Sequence, residues 1–276
     1  MARFSFSSPT PPIVLLTDFG FEDSYVGVMK GVILSTYGHS RIVDLSHNIL
    51  PQDVAQAAFM LYCSYSYFPQ GSIFVAVIDP GVGTNRDVLC MEAADRLFLA
   101  PDNGLLSLVE EEEGADSIRR VNNEELFLQR PSGTFHGRDI FAPVGAHLCS
   151  GTSPSEVGPE VDSFEKLNLP KPVHTADNTL RGEVIYIDHF GNLITNISQN
   201  MMETSFECPP ETVRTTLKQH TIDGVSETYS AGNEGKLVAL VGSTGYLEVA
   251  VKNGSARELL RAERGDRVTL EPPEDE

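Results

Sequence analysis

At 276 residues the chain is long for a single core and fits two domains of common size, and its formal charge of −19 lacks the clustered cations that grip a nucleic-acid backbone. Hydrophobic residues at 41% and charged residues at 21% match an ordinary globular chain, which sets aside disorder and fibrous repeats. No stretch reaches the roughly 18 consecutive apolar residues of a membrane span, and the N-terminal segment lacks an export signal's apolar centre, so a cytoplasmic protein without membrane or nucleic-acid partners is expected.

After a proline-rich start, residues 13–16 predict a strand ending in Thr17-Asp18-Phe19-Gly20. Tyr25, Val28, Met29, Val32 and Ile33 then recur at helical spacing behind Asp23 or Ser24 as a cap. Residues 41–45 read as a second strand, and Val54, Ala57, Ala58, Leu61, Tyr62 and Tyr65 mark a second helix face. The apolar run 73–78 predicts a third strand, which feeds the glycine-rich turn Asp79-Pro-Gly-Val-Gly-Thr-Asn-Arg86. Residues 88–91 and 97–100 have strand length and a polar corner between them, giving a mixed sheet; Pro101-Asp-Asn-Gly104 is a turn, and 105–112 a helix.

This alternation predicts an N-terminal three-layer α/β domain over residues 1–163, with its ligand site at the carboxyl ends of the strands. Residues 164–179, which hold Pro170-Lys-Pro172, read as a stiff linker. From 180 to 276 the signals become short strands at 182–187, 193–197, 212–217, 236–241, 246–251 and 267–270, the pattern of a smaller C-terminal all-β barrel or sandwich. The acidic residues 271–276 read as a frayed tail.

Several polar corners carry chemistry-bearing side chains. Asp79 and Arg86 bracket their turn at a strand end, as a site or as a structural ion pair. His136, in Thr134-Phe-His-Gly-Arg-Asp139, stands out among the seven histidines for its glycine-flanked position before an apolar helical stretch. Asp18 sits where a carboxylate can accept from a ribose diol, or can cap a turn. In Asp188-His-Phe-Gly-Asn192 an ordinary hairpin loop competes with a base site, Asn192 reading an edge and Phe190 stacking. The segment from Ser243 to Glu248 is ambiguous in the same way.

Other chemistries lack their context. Asp-Phe-Gly and His-Gly-Arg-Asp strings also occur in protein kinases, but here their order is reversed and only 17 residues precede Asp18. No serine elbow, no metal-ligand spacing and no C-x-x-C pair occurs; Cys63, Cys90, Cys149 and Cys208 read as buried free thiols, and no metal is expected. A methyltransferase would place a G-x-G turn after the first strand, where this chain has Asp18-Phe-Gly20.

Taken together the segments Leu16-Thr-Asp-Phe-Gly20, Tyr25-Val-Gly-Val-Met-Lys-Gly31, Val77 to Arg86, Pro101-Asp-Asn-Gly-Leu-Leu106, Thr134 to Asp139 and Asp188 to Asn192 with Thr195-Asn-Ile197 span almost the whole chain in order. They resemble the S-adenosyl-L-methionine hydroxide adenosyltransferases, adenosine-forming SAM hydrolases related to the fluorinase and chlorinase. The resemblance implies an α/β domain followed by a β domain, a homotrimer with ligand sites at subunit interfaces, and SAM as substrate with no separate cofactor. It implies Asp79, Arg86 and His136 as the water-activating set and Asp18 as the ribose carboxylate. Asp188, Phe190, Asn192, Ser243, Glu248 and, through its backbone, Val251 would hold the adenine and methionine parts, with Asp79 also facing the substrate.

The implied reaction is attack of water or hydroxide at the ribose C5′, giving adenosine and L-methionine. Halogenases of the family carry Tyr at the position of Asp79 and an altered His-Gly pair, so Asp79 and His136-Gly137 fit the hydrolase pattern; a formal negative charge there suits water better than halide. The alternatives are a non-catalytic adenosine or SAM sensor and a SAM-dependent halogenase.

Overall fold

The computed structural model describes residues 10–273 except 207, 232 and 233, so the proline-rich start to residue 9 and the last acidic residues, 274–276, lie outside the described part. Two compact units divide between Leu167 and Asn168.

The first unit alternates strand and helix: β1 (Pro12–Thr17), α1 (Tyr25–Thr36), β2 (Arg41–Ser46), α2 (Val54–Ser64), β3 (Ile73–Val77), β4 (Val88–Ala93), β5 (Arg96–Pro101), α3 (Ser107–Glu113), β6 (Ser117–Arg120) and α4 (Ala142–Ser150). Its sheet has the order β2-β1-β3-β5-β4-β6; β2, β1, β3 and β5 run parallel, while β4 runs against both its neighbours. The central strands are apolar on both faces, as a sheet covered on two sides requires. Ile13, Leu15, Ile73 and Val75 face the core that includes Met29 and Phe141, while Val14, Leu16, Phe74 and Ala76 face the one that includes Leu61 and Val109. That is the expected three-layer mixed sheet.

Two details differ from the sequence reading. Ser24 is the N-cap of α1 but makes no side-chain cap hydrogen bond, and β6, a strand too short and charged to show apolar patterning, closes the sheet edge. Only Cys90 and Cys149 are buried; Cys63 and Cys208 are half-buried. Burial pushes the Cys63 and Cys90 thiols up to about 12, so neither is a nucleophile at neutral pH.

The second unit comprises β7 (Val173–His174), β8 (Leu180–Ile187), β9 (Leu193–Ser198), α5 (Gln199–Ser205), β10 (Arg214–Leu217), β11 (His220–Asp223), β12 (Val225–Ser226), β13 (Leu237–Val241), β14 (Tyr246–Val251), α6 (Ala256–Leu260) and β15 (Arg267–Glu271). Eight strands follow the order β11-β10-β15-β8-β9-β14-β13-β12, curled into a nearly barrel-shaped sheet, and β7 pairs off this path with β8. The segment read as a linker is therefore held at both ends. Leu167 N donates to Ser107 Oγ at 2.9 Å in the first unit, and Val173 and His174 join the sheet of the second. Two short helices, α5 and α6, also interrupt the all-β pattern, each capped by a serine, Ser198 or Ser255, that accepts a backbone N–H.

Candidate active site

β1 and β3 are parallel neighbours in register at Thr17 and Val77, so the chain leaves their carboxyl ends side by side. Asp18 and Asp79 come off these two ends, at the edge of the sheet where open α/β folds bind ligands. β2 ends at Ser46, opposite Leu16 and one position short of Thr17, after a register shift between Leu15 and Leu16.

Three contacts build the turn from Asp79 to Arg86. Asn103, in the Pro-Asp-Asn-Gly segment, donates from Nδ2 to the Ile78 carbonyl at 2.9 Å and anchors the turn's entry. Thr84 donates to the Gly81 carbonyl at 2.7 Å. Gly83 has φ +77°, and a Cβ there would stand 2.4 Å from the Gly133 carbonyl oxygen. The loop before His136 thus lies directly on this turn, an approach that only glycine allows.

His136 opens a π-helical turn, Gly137–Phe141, ahead of α4. Asp139 in that turn is buried; its carboxylate accepts from Ser132 N at 2.7 Å and Arg138 Nε at 2.6 Å, pinning the loop behind His136. A Cβ on Gly137 would meet Met29 Sδ, Phe135 and Phe19 at 3.2–3.3 Å, so the turn packs tightly on α1 and on an aromatic trio of Phe19, Tyr25 and Phe135.

Arg86 joins the two segments. Its Nε donates to Asp79 Oδ1 at 2.8 Å, its Nη2 to Asp79 Oδ2, and Nη2 also lies 2.8 Å from His136 Nδ1. The side chains of Arg86 and Asp79 are 10% and 6% exposed, so the pair works in a medium of low polarity. A guanidinium has no acceptor, so Nδ1 must be the acceptor and the ring's proton sits on Nε2. Burial first, then the cationic Arg86, holds the imidazolium of His136 below its ordinary pKa, outweighing the opposite pull of Asp79 and Asp139. The imidazole is neutral at pH 7 and presents an N–H donor.

Asp79 and His136 line a cavity of about 400 Å³ together with Asp18, Tyr25, Gln52 and Phe135. Asp18 Oδ2 accepts the backbone N–H of Gln52 at 2.8 Å. Arg86 is not among the lining residues; it lies behind the wall and couples its two members.

In the second unit the loop between β8 and β9 is braced from within by Asp188, and its Gly191 carbonyl accepts from Arg257 N at 2.9 Å. Asp188 Oδ1 accepts from Phe190 N at 2.9 Å and Asn192 N at 2.8 Å, and Oδ2 accepts from Asn192 Nδ2 at 2.9 Å. Gly191, at φ +81°, leaves room for Ser255, which a Cβ would strike. The loop presents Phe190 to solvent, 73% exposed, while Asn192 is buried. Glu248, buried on β14, accepts from Tyr229 Oη at 2.6 Å. Burial raises its carboxyl above the usual range, Tyr229 opposes this, and the charge of Asp188 adds to it. Ser243 is exposed in the turn between β13 and β14, and Val251 ends β14 with its carbonyl bonded by Gly254 N at 3.1 Å. Asp188, Asn192, Glu248 and the unforeseen Tyr229 therefore form one polar group, with Ser243 in the turn before β14 and Val251 at its far end. Gln52, His47 and Tyr229 had no sequence signal: each acts through a contact to a residue 19 or more positions away.

Residues 13–158 match the family model for the SAM hydroxide adenosyltransferase N-terminal domain, and residues 182–269 that for the C-terminal domain. A protein named (R)-S-adenosyl-L-methionine hydrolase from Thermus thermophilus is 38% identical over 270 residues, spanning 94% of this chain and 99% of that protein. One of the same name from Salinispora tropica is 35% identical, spanning 95% and 98%. A fluorinase from Nocardia brasiliensis is 30% identical, spanning 87% and 90%. Among solved structures, a conserved protein from Thermotoga maritima superposes with a TM-score of 0.88 at 38% identity, covering 94% of this chain and 99% of that one.

Proposed function

The chain belongs to the SAM hydroxide adenosyltransferase family, and from that premise we propose that it hydrolyses S-adenosyl-L-methionine by attack of water on the ribose C5′. A C5′–oxygen bond forms, the C5′–sulfur bond breaks with its electron pair passing to sulfur, and adenosine, L-methionine and one proton result. The observation that carries the reading is the coupling of Asp79 and His136 through Arg86 in the wall of a cavity that Asp18 also lines.

The sulfonium is already a good leaving group and loses its charge in the transition state, so alignment of oxygen, carbon and sulfur is where a protein gains most. The Nε2–H of neutral His136 donates to the water oxygen, and a free lone pair of Asp79 accepts one of its protons. Arg86 does not touch the water in this scheme; it fixes both partners. Asp18 takes the ribose hydroxyls with the lone pairs that Gln52 leaves free. Asp79 and Arg86 form an ion pair without net charge, so this wall offers a halide no unpaired cation, and the halogenase alternative is disfavoured.

Incubation of purified protein with SAM in ¹⁸O-water should yield methionine and adenosine carrying the label at its 5′ oxygen. Intact SAM rejects hydrolysis, and binding measured by calorimetry without turnover would identify a sensor. The resemblance also supports a cytoplasmic homotrimer with sites at subunit interfaces, and the exposed Phe21 and Tyr25 supply apolar surface for such contacts. Light scattering at three chain masses is the expected result.

A further inference from the structure

Beneath the loop that carries Asp18 lies a buried polar column that the reaction scheme does not use. His47 follows β2 and is 0% exposed, as is Thr17 at the end of β1. Its Nδ1 stands 2.7 Å from Thr17 Oγ1, and its backbone carbonyl accepts from Gly20 N at 2.8 Å. The exposed ring of Phe21 covers the imidazole edge-on at 5.0 Å. On the far side Nε2 is 3.1 Å from Asp44 Oδ1 but outside hydrogen-bonding alignment, and Asp44 Oδ2 carries Lys30 Nζ at 2.6 Å.

The direction of the column follows from the carboxylate. Burial works against the charge of Asp44, yet Lys30 and His47 hold its carboxyl below the usual range. An anion beside Nε2 favours the proton there, which makes Nδ1 the acceptor and the Thr17 hydroxyl its donor. Thr17 Oγ1 then accepts the backbone N–H of Phe19 at 3.3 Å. The peptide groups that follow Asp18 are thus both tied to His47, Phe19 through Thr17 and Gly20 directly. Gln52, which binds Asp18 Oδ2, lies five positions beyond His47 on the same segment.

We propose that His47 is a positioning residue for substrate binding, one that fixes the backbone around Asp18 and so sets how firmly that carboxylate grips the vicinal hydroxyls of a ribose. This rests on the reading of Asp18 as the diol contact, and it adds the side chain that makes the contact selective. A buried imidazole costs several hydrogen bonds to water, and a site that contributed only packing would be served by a phenyl ring.

The test compares inhibition of SAM turnover by adenosine and by 2′-deoxyadenosine in the full chain, in His47→Phe, His47→Asn and Thr17→Val, and in the Thr17→Val/His47→Phe pair. The unaltered protein should prefer adenosine by about 10-fold or more, because a carboxylate left facing a missing hydroxyl loses its partner. His47→Phe and Thr17→Val should bring the preference to within about threefold and raise KM for SAM with little change in kcat; the pair should be no worse than the worse single variant, as members of one chain of contacts behave. His47→Asn, whose amide reaches the place of Nδ1, should restore most of the preference. Equal inhibition by both nucleosides in the unaltered protein would remove Asp18 as the diol contact and the proposal with it. A clear preference that survives both His47→Phe and Thr17→Val overturns the proposal alone, whatever happens to thermal stability. Thr17→Val keeps the shape of the side chain and carries the test if His47→Phe does not fold.

Discussion

Arg86 reaches His136 across 50 positions of chain, whereas Asp188 meets Phe190 and Asn192 within four. The first cluster exists only because two turns are pressed together, Gly83 against Gly133, at the ends of strands already fixed by a two-sided core. The second is a loop braced by its own short-range bonds and tied further where Arg257 N donates to the Gly191 carbonyl at 2.9 Å. The difference separates two tasks. On the proposed reaction, a cluster held by distant elements would keep the geometry that chemistry at one carbon demands, while a short loop would present an aromatic ring to a flat base. Loss of the first should therefore appear in kcat, and loss of the second in KM.

The largest effect expected is that of Arg86→Ala, which strips Asp79 and His136 of their common partner at once. Turnover should fall by about 10³-fold, within the range that positioned proton transfer contributes. Arg86→Lys should recover little, since one ammonium cannot serve both oxygens of Asp79 and Nδ1 of His136. Asp79→Asn keeps the shape but removes the proton acceptor; kcat should drop by about 10²-fold with KM for SAM within about threefold. Steady-state kinetics decides both, and a rise in KM at constant kcat would erase the contrast between the two clusters.

At the second cluster the effects are smaller and of the other kind. Phe190→Ala removes an exposed ring, so the melting temperature should hardly move, while adenosine affinity measured by calorimetry should weaken by about 10-fold, the scale of a lost stack. Asp188→Ala leaves the N–H groups of Phe190 and Asn192 without their acceptor. It should cost about 1–3 kcal/mol of stability by denaturant unfolding and weaken adenosine binding, with turnover at saturating SAM preserved. A fall in kcat as deep as that of Asp79→Asn would mean the loop takes part in the chemistry.

How far the sequence reveals this arrangement follows from the same contrast. Apolar runs such as 73–78 fix strands because a sheet covered on both faces leaves no polar alternative, and Asp79, Arg86 and His136 stand out by their glycine-rich corners. The convergence of the three, and the place of Arg86 behind the cavity wall instead of in it, depend on backbone contacts between turns that no local pattern encodes. His47 is the extreme case: nothing around residues 44–47 marks it, and its role is visible only through Thr17, 30 positions earlier. β6 and the short helices were illegible for a different reason, being too brief for periodicity to register.

The smallest effect expected concerns pH, and it sharpens the comparison because each cluster holds a displaced group that gains its proton on the acid side. His136 is held below its ordinary value by burial and by Arg86, so it gains a proton only in more acid solution than a free histidine. Protonation takes away the Nδ1 lone pair that Arg86 uses, so activity should be full above the ordinary histidine range and fall as pH drops through the depressed value. An unperturbed imidazole would be half protonated at about pH 6.5, so the loss of kcat there should be less than about twofold. Glu248 moves the opposite way, raised by burial, and it too gains a proton on the acid side. Glu248→Gln distinguishes them: if His136 governs, the midpoint of the acid limb in kcat stays where it is while KM changes, and a limb that vanishes with the glutamine would transfer the pH dependence to the second cluster.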